Sequence, residues 1–326
     1  MMINRIRSVF DPVLYHGWGR TRRFFEGWYF KVVNAAEDCA FAFIPGIAMN
    51  ERGERHAFVQ VLDGKKLTAT YHPFPVESFN PTPGQFDLRI EANRFTVNSM
   101  HLDLPGFSGE LRFTGLTPWP SRWYSPGIMG PYTFVPFMEC YHGIVSLDHA
   151  IEGSLQTDGG EISFSGGRGY SEKDWGHSFP TAYIWMQSNH FSTRGISLKA
   201  SVARIPWLGS SFTGFIAGLW HEGRLYPFTT YNGSRLVRSV AGLEQVELIF
   251  ANRNYRMEIL ARRDHATLLA SPLAGFMDGR IAESMTSDVT ISLFDAKSGA
   301  SILKDHGRNL ALEVAGNISE ILVERT

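Results

Sequence analysis

Phe86-Asp87-Leu88-Arg89-Ile90 carries an apolar side chain at every second position, and Val289-Thr290-Ile291-Ser292-Leu293 repeats the pattern far along the chain. Successive side chains of a strand point to opposite faces, so a period of two describes a strand with one buried face. Ala57 to Leu62, Glu161 to Phe164, Val246 to Phe250 and Tyr255 to Leu260 read as further strands. Turn formers separate them: Asp63-Gly64, Asp158-Gly159-Gly160, Glu222-Gly223, Asn232-Gly233 and Ser298-Gly299. No long stretch keeps a helical period. The expected fold class is all-β and antiparallel, a barrel or a sandwich, with at most a few short helices.

Thr114 to Pro136 breaks the pattern with Pro118, Pro120, Pro126 and Pro131. Prolines at this density do not sit in central strands. A linker would be polar, whereas this segment is apolar and aromatic, which predicts an ordered loop packed over something. A strand-like run, Gly143 to Leu147, follows. The boundary between halves is placed near residue 150, giving an N-terminal half 1–150 and a C-terminal half 151–326.

The bulk properties exclude several classes. A net charge of −1 leaves no basic surplus for a nucleic-acid partner. Two cysteines, Cys39 and Cys140, make neither a disulfide framework nor a zinc set and read as buried thiols in a reducing compartment. Residues 1–10 carry Arg5 and Arg7 without a continuous apolar core, and no window approaches a membrane span. The chain reads as cytoplasmic. Binding at a membrane surface stays open, since a lipid-like substrate has to be collected somewhere.

Two segments concentrate ionisable and aromatic residues. Phe24-Phe25-Glu26-Gly27-Trp28-Tyr29-Phe30-Lys31 is echoed by Ser171-Glu172-Lys173-Asp174-Trp175-Gly176-His177-Ser178-Phe179-Pro180, with Trp185-Met186-Gln187-Ser188-Asn189 after it. These segments resemble the two signatures of the tocopherol cyclase family. The resemblance implies two lipocalin-like halves enclosing an apolar cavity. It also implies cyclisation of a prenylated hydroquinone to a chromanol. An acid protonates the prenyl double bond, and the phenol oxygen captures the tertiary cation. No redox change occurs, so neither cofactor nor metal is expected, and the chain has no phosphate-binding glycine loop or His pair at ligand spacing. The expected partner is an apolar small molecule. The chain departs from the family's plant and cyanobacterial pattern at Asp174, where those members carry Asn, at His177-Ser178 and at Ile184.

Protonating an alkene needs a carboxylic acid that stays neutral near pH 7, and burial or a neighbouring carboxylate supplies that. Glu172 and Asp174, at i and i+2, would share a strand face; Glu26 would share one with Phe24, Trp28 and Phe30. His142 and His177 could relay protons. Trp28, Tyr29, Trp175 and Trp185 are candidate substrate walls whose rings would stabilise a cation. Gln187 and Asn189 would hold the phenolic oxygen. Plainer roles stand beside these: Glu26 pairing with Lys31 or Arg22, Glu172 with Lys173, Asp174 capping a turn, the tryptophans filling a core. A carrier of an apolar molecule without chemistry is the alternative function.

Overall fold

A computed structural model of the chain describes residues 2–324. Strands dominate, as the period of two requires; among the described residues the one α-helix is α1, Met2–Phe10. The chain divides into two units, Met1–Phe179 with Leu269–Arg280, and Pro180–Leu268 with Ile281–Thr326.

The first unit holds β1 (Phe24–Val33), β2 (Ala40–Met49), β3 (Arg55–Asp63), β4 (Thr68–Pro75), β5 (Phe79–Pro81) and β6 (Asp87–Ile90). It continues through β7 (Asn93–Thr96), β8 (Ser99–Leu104), β9 (Phe107–Thr114), β10 (Cys140–Thr157), β11 (Gly160–Ser163) and β12 (Gly167–Gly176). Their antiparallel order is β4-β3-β2-β1-β12-β10-β9-β8-β7-β6-β5, with β11 on β10. The two end strands, β4 and β5, are joined by the short turn Val76–Ser78, so the sheet's edges meet and it curls into a barrel. Ring contacts across the interior show the same curl. Phe30 of β1 lies 5.8 Å from Phe95 of β7 and 6.0 Å from Phe113 of β9, and Trp28 stacks on Phe86 at 5.0 Å.

The second unit is built from β13 (Ala182–Ser188), β14 (His190–Phe191), β15 (Ser197–Trp207), β16 (Ser210–His221), β17 (Arg224–Thr229) and β18 (Arg235–Ala241). Then come β19 (Gln245–Ala251), β20 (Tyr255–Arg262), β21 (Thr267–Leu273), β22 (Phe276–Asp295), β23 (Ser301–Gly316) and β24 (Val323–Glu324). The order β17-β16-β15-β13-β23-β22-β20-β19-β18-β24 again leaves sequence neighbours, β17 and β18, near its two ends. Ile184, Met186, Leu198, Phe228, Phe250 and Ile291 belong to its core. The fold is thus all-β, in two lipocalin-like antiparallel halves.

The boundary expected near residue 150 falls inside β10 and is corrected to the Phe179/Pro180 junction. The reason is topological. β12, which follows residue 150, lies between β1 and β10 and completes the first sheet. The tip of the β21–β22 hairpin also counts with the first unit, where Gln60 exchanges two hydrogen bonds with Ala270 and Met49 N–H donates to Gly275 O. The proline-rich loop is ordered as expected. It buries Trp119, Ile128 and Met129, yet leaves Trp123 and Phe134 exposed. Cys39 and Cys140 are free thiols, half-buried rather than buried.

Candidate active site

The site grows from one piece of register. β12 runs antiparallel between β1 and β10, placing Glu26 opposite Trp175, Trp28 opposite Lys173 and Tyr29 opposite Glu172. On the other side His142 lies opposite Asp174, and Tyr141 opposite Trp175. Alternation then sorts the motif residues onto two faces. Glu26, Trp28, Lys173 and Trp175 point to the ring-filled interior with Phe30, while Tyr29, Tyr170, Glu172, Asp174 and His142 share the opposite face. Gly176 closes β12 where the residue just before β10 comes close: its φ is +154°, and a Cβ would sit 2.1 Å from Glu139 O.

On the interior face Lys173 and Glu26 form a fully buried ion pair, Nζ to Oε1 2.5 Å. Each proton of the ammonium has an acceptor: Glu26 Oε1, Leu14 O, and His16 Nδ1 at 2.8 Å. The Trp28 and Trp175 rings lie 4.8 and 4.7 Å from Nζ. The Glu26 carboxylate also accepts the backbone N–H of His16 at 2.9 Å and of Gly17 at 3.0 Å. Burial would raise the Glu26 carboxyl, but Lys173 and then His16 outweigh it and hold it below the usual range. Burial brings His16 down to about 4, so its neutral ring accepts from Lys173 while stacking on Trp175 at 3.9 Å. Glu26 therefore stays ionised and saturated. Its partner is Lys173, not the Lys31 or Arg22 of the simplest sequence reading, because Lys31 faces away from it across the sheet.

The opposite face carries a different assembly. His142 Nδ1 lies 2.8 Å from Asp174 Oδ1, and its Nε2 lies 3.1 Å from Glu172 Oε2. Tyr170 donates its hydroxyl proton to Glu172 Oε2. Cys140 Sγ donates to Asp174 Oδ1 at 3.7 Å; burial, then Asp174, pushes this thiol up, so it keeps its proton. Burial and then Glu172 likewise push the Tyr170 phenol well up. Exposure rises along the chain of contacts: Tyr170 is at 0%, Glu172 at 3% and His142 at 7%, while the Asp174 side chain reaches 24%. Two carboxylates flanking one imidazole at these distances form an arrangement through which a proton can pass from one to the other. The cluster thus runs from the buried Tyr170–Glu172 end to the partly exposed Asp174. One imidazole nitrogen and the two carboxylates also lie within 4.8 Å of one another, a donor set that suits a divalent cation.

The remaining candidates fall elsewhere. His177 lies beyond the end of β12, where its N–H donates to Glu139 O and its carbonyl accepts from Gly275; its ring makes no hydrogen bond to the cluster among the described residues. Trp185 and Gln187 lie on β13 of the second unit, buried on the face opposite Ile184 and Met186, with Gln187 across from Lys199; Asn189 follows that strand. Tyr170 and Lys173 were missed as site residues. Parity could have found both: Tyr170 is two residues before Glu172, and Lys173 shares its face with Trp175 rather than with Glu172.

A family profile described as tocopherol cyclase-like matches residues 115–316. The chain belongs to that family. The match includes the Ser171–Asn189 signature, whereas Phe24–Lys31 precedes it. Among tocopherol cyclase-like relatives, the chain is 27% identical over 192 residues to "Probable tocopherol cyclase, chloroplastic" of Oryza sativa subsp. japonica, covering 56% of this chain and 40% of that protein. It is 28% identical over 193 residues to "Tocopherol cyclase, chloroplastic" of Zea mays, with the same coverage. The chain thus matches two fifths of the length of these curated relatives. The crystal structure of CghA superposes with a TM-score of 0.55 at 13% identity, over 90% of this chain and 89% of that one, which shows a shared fold. No helix among the described residues is long and apolar enough to cross a membrane.

Proposed function

We propose that this protein is a cyclase-type enzyme that closes a ring on a prenylated hydroquinone or a related isoprenoid by proton transfer. The observation that carries this reading is His142 held between Glu172 and Asp174 on a buried strand face. Glu172 is the inner acid. It adds a proton to the less substituted carbon of the prenyl double bond, the alkene pair forms the new C–H bond, and a tertiary cation results. The phenol oxygen forms the C–O bond to that cation, and its proton returns to the cluster through Glu172. Substrate and product are isomers, so the cycle balances with no oxidant or reductant. His142 and Asp174 keep the inner acid charged with a proton, and Tyr170 orients it. Tyr29, directly across the register, offers a ring face to the cation.

A carrier would have no use for a buried Glu172 and a half-buried Asp174 about one imidazole, because burying ionisable groups is costly unless they are paired or used. The test is incubation with a phytylated dimethylhydroquinone, with chromanol followed by chromatographic retention and absorbance. Chromanol formation that falls by about 10²–10⁴ in Glu172→Gln, the scale of general acid catalysis, with substrate binding retained, is the expected result. Full turnover in Glu172→Gln, Asp174→Asn and His142→Gln alike would remove the assignment. Saturable binding without product would make the protein a carrier.

A further inference from the structure

Helix α1 is amphipathic in the reverse sense. A surface helix packs its apolar stripe inward, yet here Met2, Ile3, Ile6 and Phe10 are 75, 64, 56 and 47% exposed, while Ser8 is buried. At 3.6 residues per turn the four side chains form one outward stripe, and Arg5 and Arg7 fall on its two flanks. The stripe continues into the proline-rich loop: Phe10 meets the exposed Phe134 edge-on at 5.7 Å. The segment just after the helix is packed on the loop, where Gly127 lies so close to Pro12 that a Cβ would stand 2.8 Å from its Cγ. The same loop exposes Trp123 at 78% and Tyr124 at 47%. Charge completes the pattern. Residues 1–23 hold Arg5, Arg7, Arg20, Arg22 and Arg23 against the single acid Asp11, with Arg23 paired to Glu51, in a chain whose net charge is −1.

We propose that this face, α1 with the adjoining Phe134 segment, docks on the surface of an anionic lipid bilayer. The apolar stripe would enter the headgroup–acyl boundary. The flanking arginines would reach lipid phosphates while their stems lie along the apolar layer. Exposed Trp and Tyr are the side chains that settle at that depth. Helix α1 hangs from a firm mount, because the segment after it is tied down where Lys173 bonds Leu14 O and Glu26 takes the N–H of His16 and Gly17. This goes beyond the proposed reaction and requires none of its residues.

The test is flotation of the full-length protein with vesicles of phosphatidylcholine, alone or mixed with phosphatidylglycerol. The wild type is expected to float with the mixed vesicles and to lose binding as salt rises. Arg5→Gln with Arg7→Gln should weaken partition about thirtyfold, the product of the usual factor for each surface cation. Ile3→Glu with Ile6→Glu should abolish flotation. All four side chains are exposed, so the Ile variant should melt like the wild type. Arg5 also donates Nε–H to Trp18 O at 2.6 Å, so Arg7→Gln alone, expected to weaken partition about fivefold, is the check where the double variant melts lower. The proposal is overturned if the wild type stays out of the vesicle fraction, or if the Ile variant floats as well as the wild type. It is equally overturned if these variants instead turn a lipid-indifferent dimer into a monomer, which would make the stripe a contact between copies.

Discussion

Lys173→Met tests the interior anchor. The change keeps the aliphatic stem between Trp28 and Trp175 and deletes the ammonium, removing the 2.5 Å pair with Glu26, the bond to Leu14 O and the contact with His16. Glu26, with no exposed surface, keeps its backbone donors but loses its counter-charge. Breaking a buried pair from one side costs about 3–5 kcal/mol, because the surviving charge is left uncompensated. Adding Glu26→Gln removes that charge while an amide oxygen still accepts from His16 N–H, so the double variant should recover about 2 kcal/mol of the loss. The assay is urea unfolding of the wild type, both singles and the double. Amide exchange at His16 and Gly17 then reports whether the segment beneath α1 loosens. A loss under about 1 kcal/mol for Lys173→Met, or a double variant as unstable as the sum of the singles, would refute the view that this pair is the mount.

Acid sensitivity should trace in part to His149. It is 1% exposed, neither ring nitrogen has a hydrogen-bond partner among the described residues, and burial lowers it from 6.5 to about 3. Between those values the unfolded chain binds the extra proton, so stability is full above pH 6.5 and falls as the pH drops toward 3, by about 1.4 kcal/mol per unit. His149→Leu should flatten that limb in melting curves taken across the window; an unchanged limb would clear His149. Zinc should inhibit chromanol formation by taking the His142, Glu172 and Asp174 donors, more strongly at higher pH because binding displaces their proton; inhibition that persists undiminished in Asp174→Asn would place the metal elsewhere. Gly176→Ala should destabilise by about 1–3 kcal/mol, the usual cost of a strained backbone position, since its Cβ meets Glu139 O; a wild-type melting temperature would show that β10 yields there.

Local pattern carried a large part of this protein. Alternation in Phe86–Ile90 and Val289–Leu293 is visible because a strand's two faces meet different surroundings, and both stretches lie in strands, β6 from Asp87 onward and β22. The same parity groups Glu26 with Trp28, and within β12 groups Glu172 with Asp174 apart from Lys173 and Trp175; that the two carboxylate groups take opposite faces follows from the β1–β12 register. Residue 150 failed as a boundary because the strand that completes the first barrel, β12, comes after it, and nothing local announces where a strand will pair.

The sequence by itself thus determined the class of structure, the two motif segments and which of their side chains can share a face. Only the tertiary structure decided who stands beside whom. Glu26 meets Lys173 and His142 meets Asp174 because β12 inserts between β1 and β10 in one register. A slip of one residue would turn every one of these side chains to the other face. That register is set by contacts between residues more than a hundred positions apart, between β1 and β12, so the same motif could otherwise read as a solvated charge run.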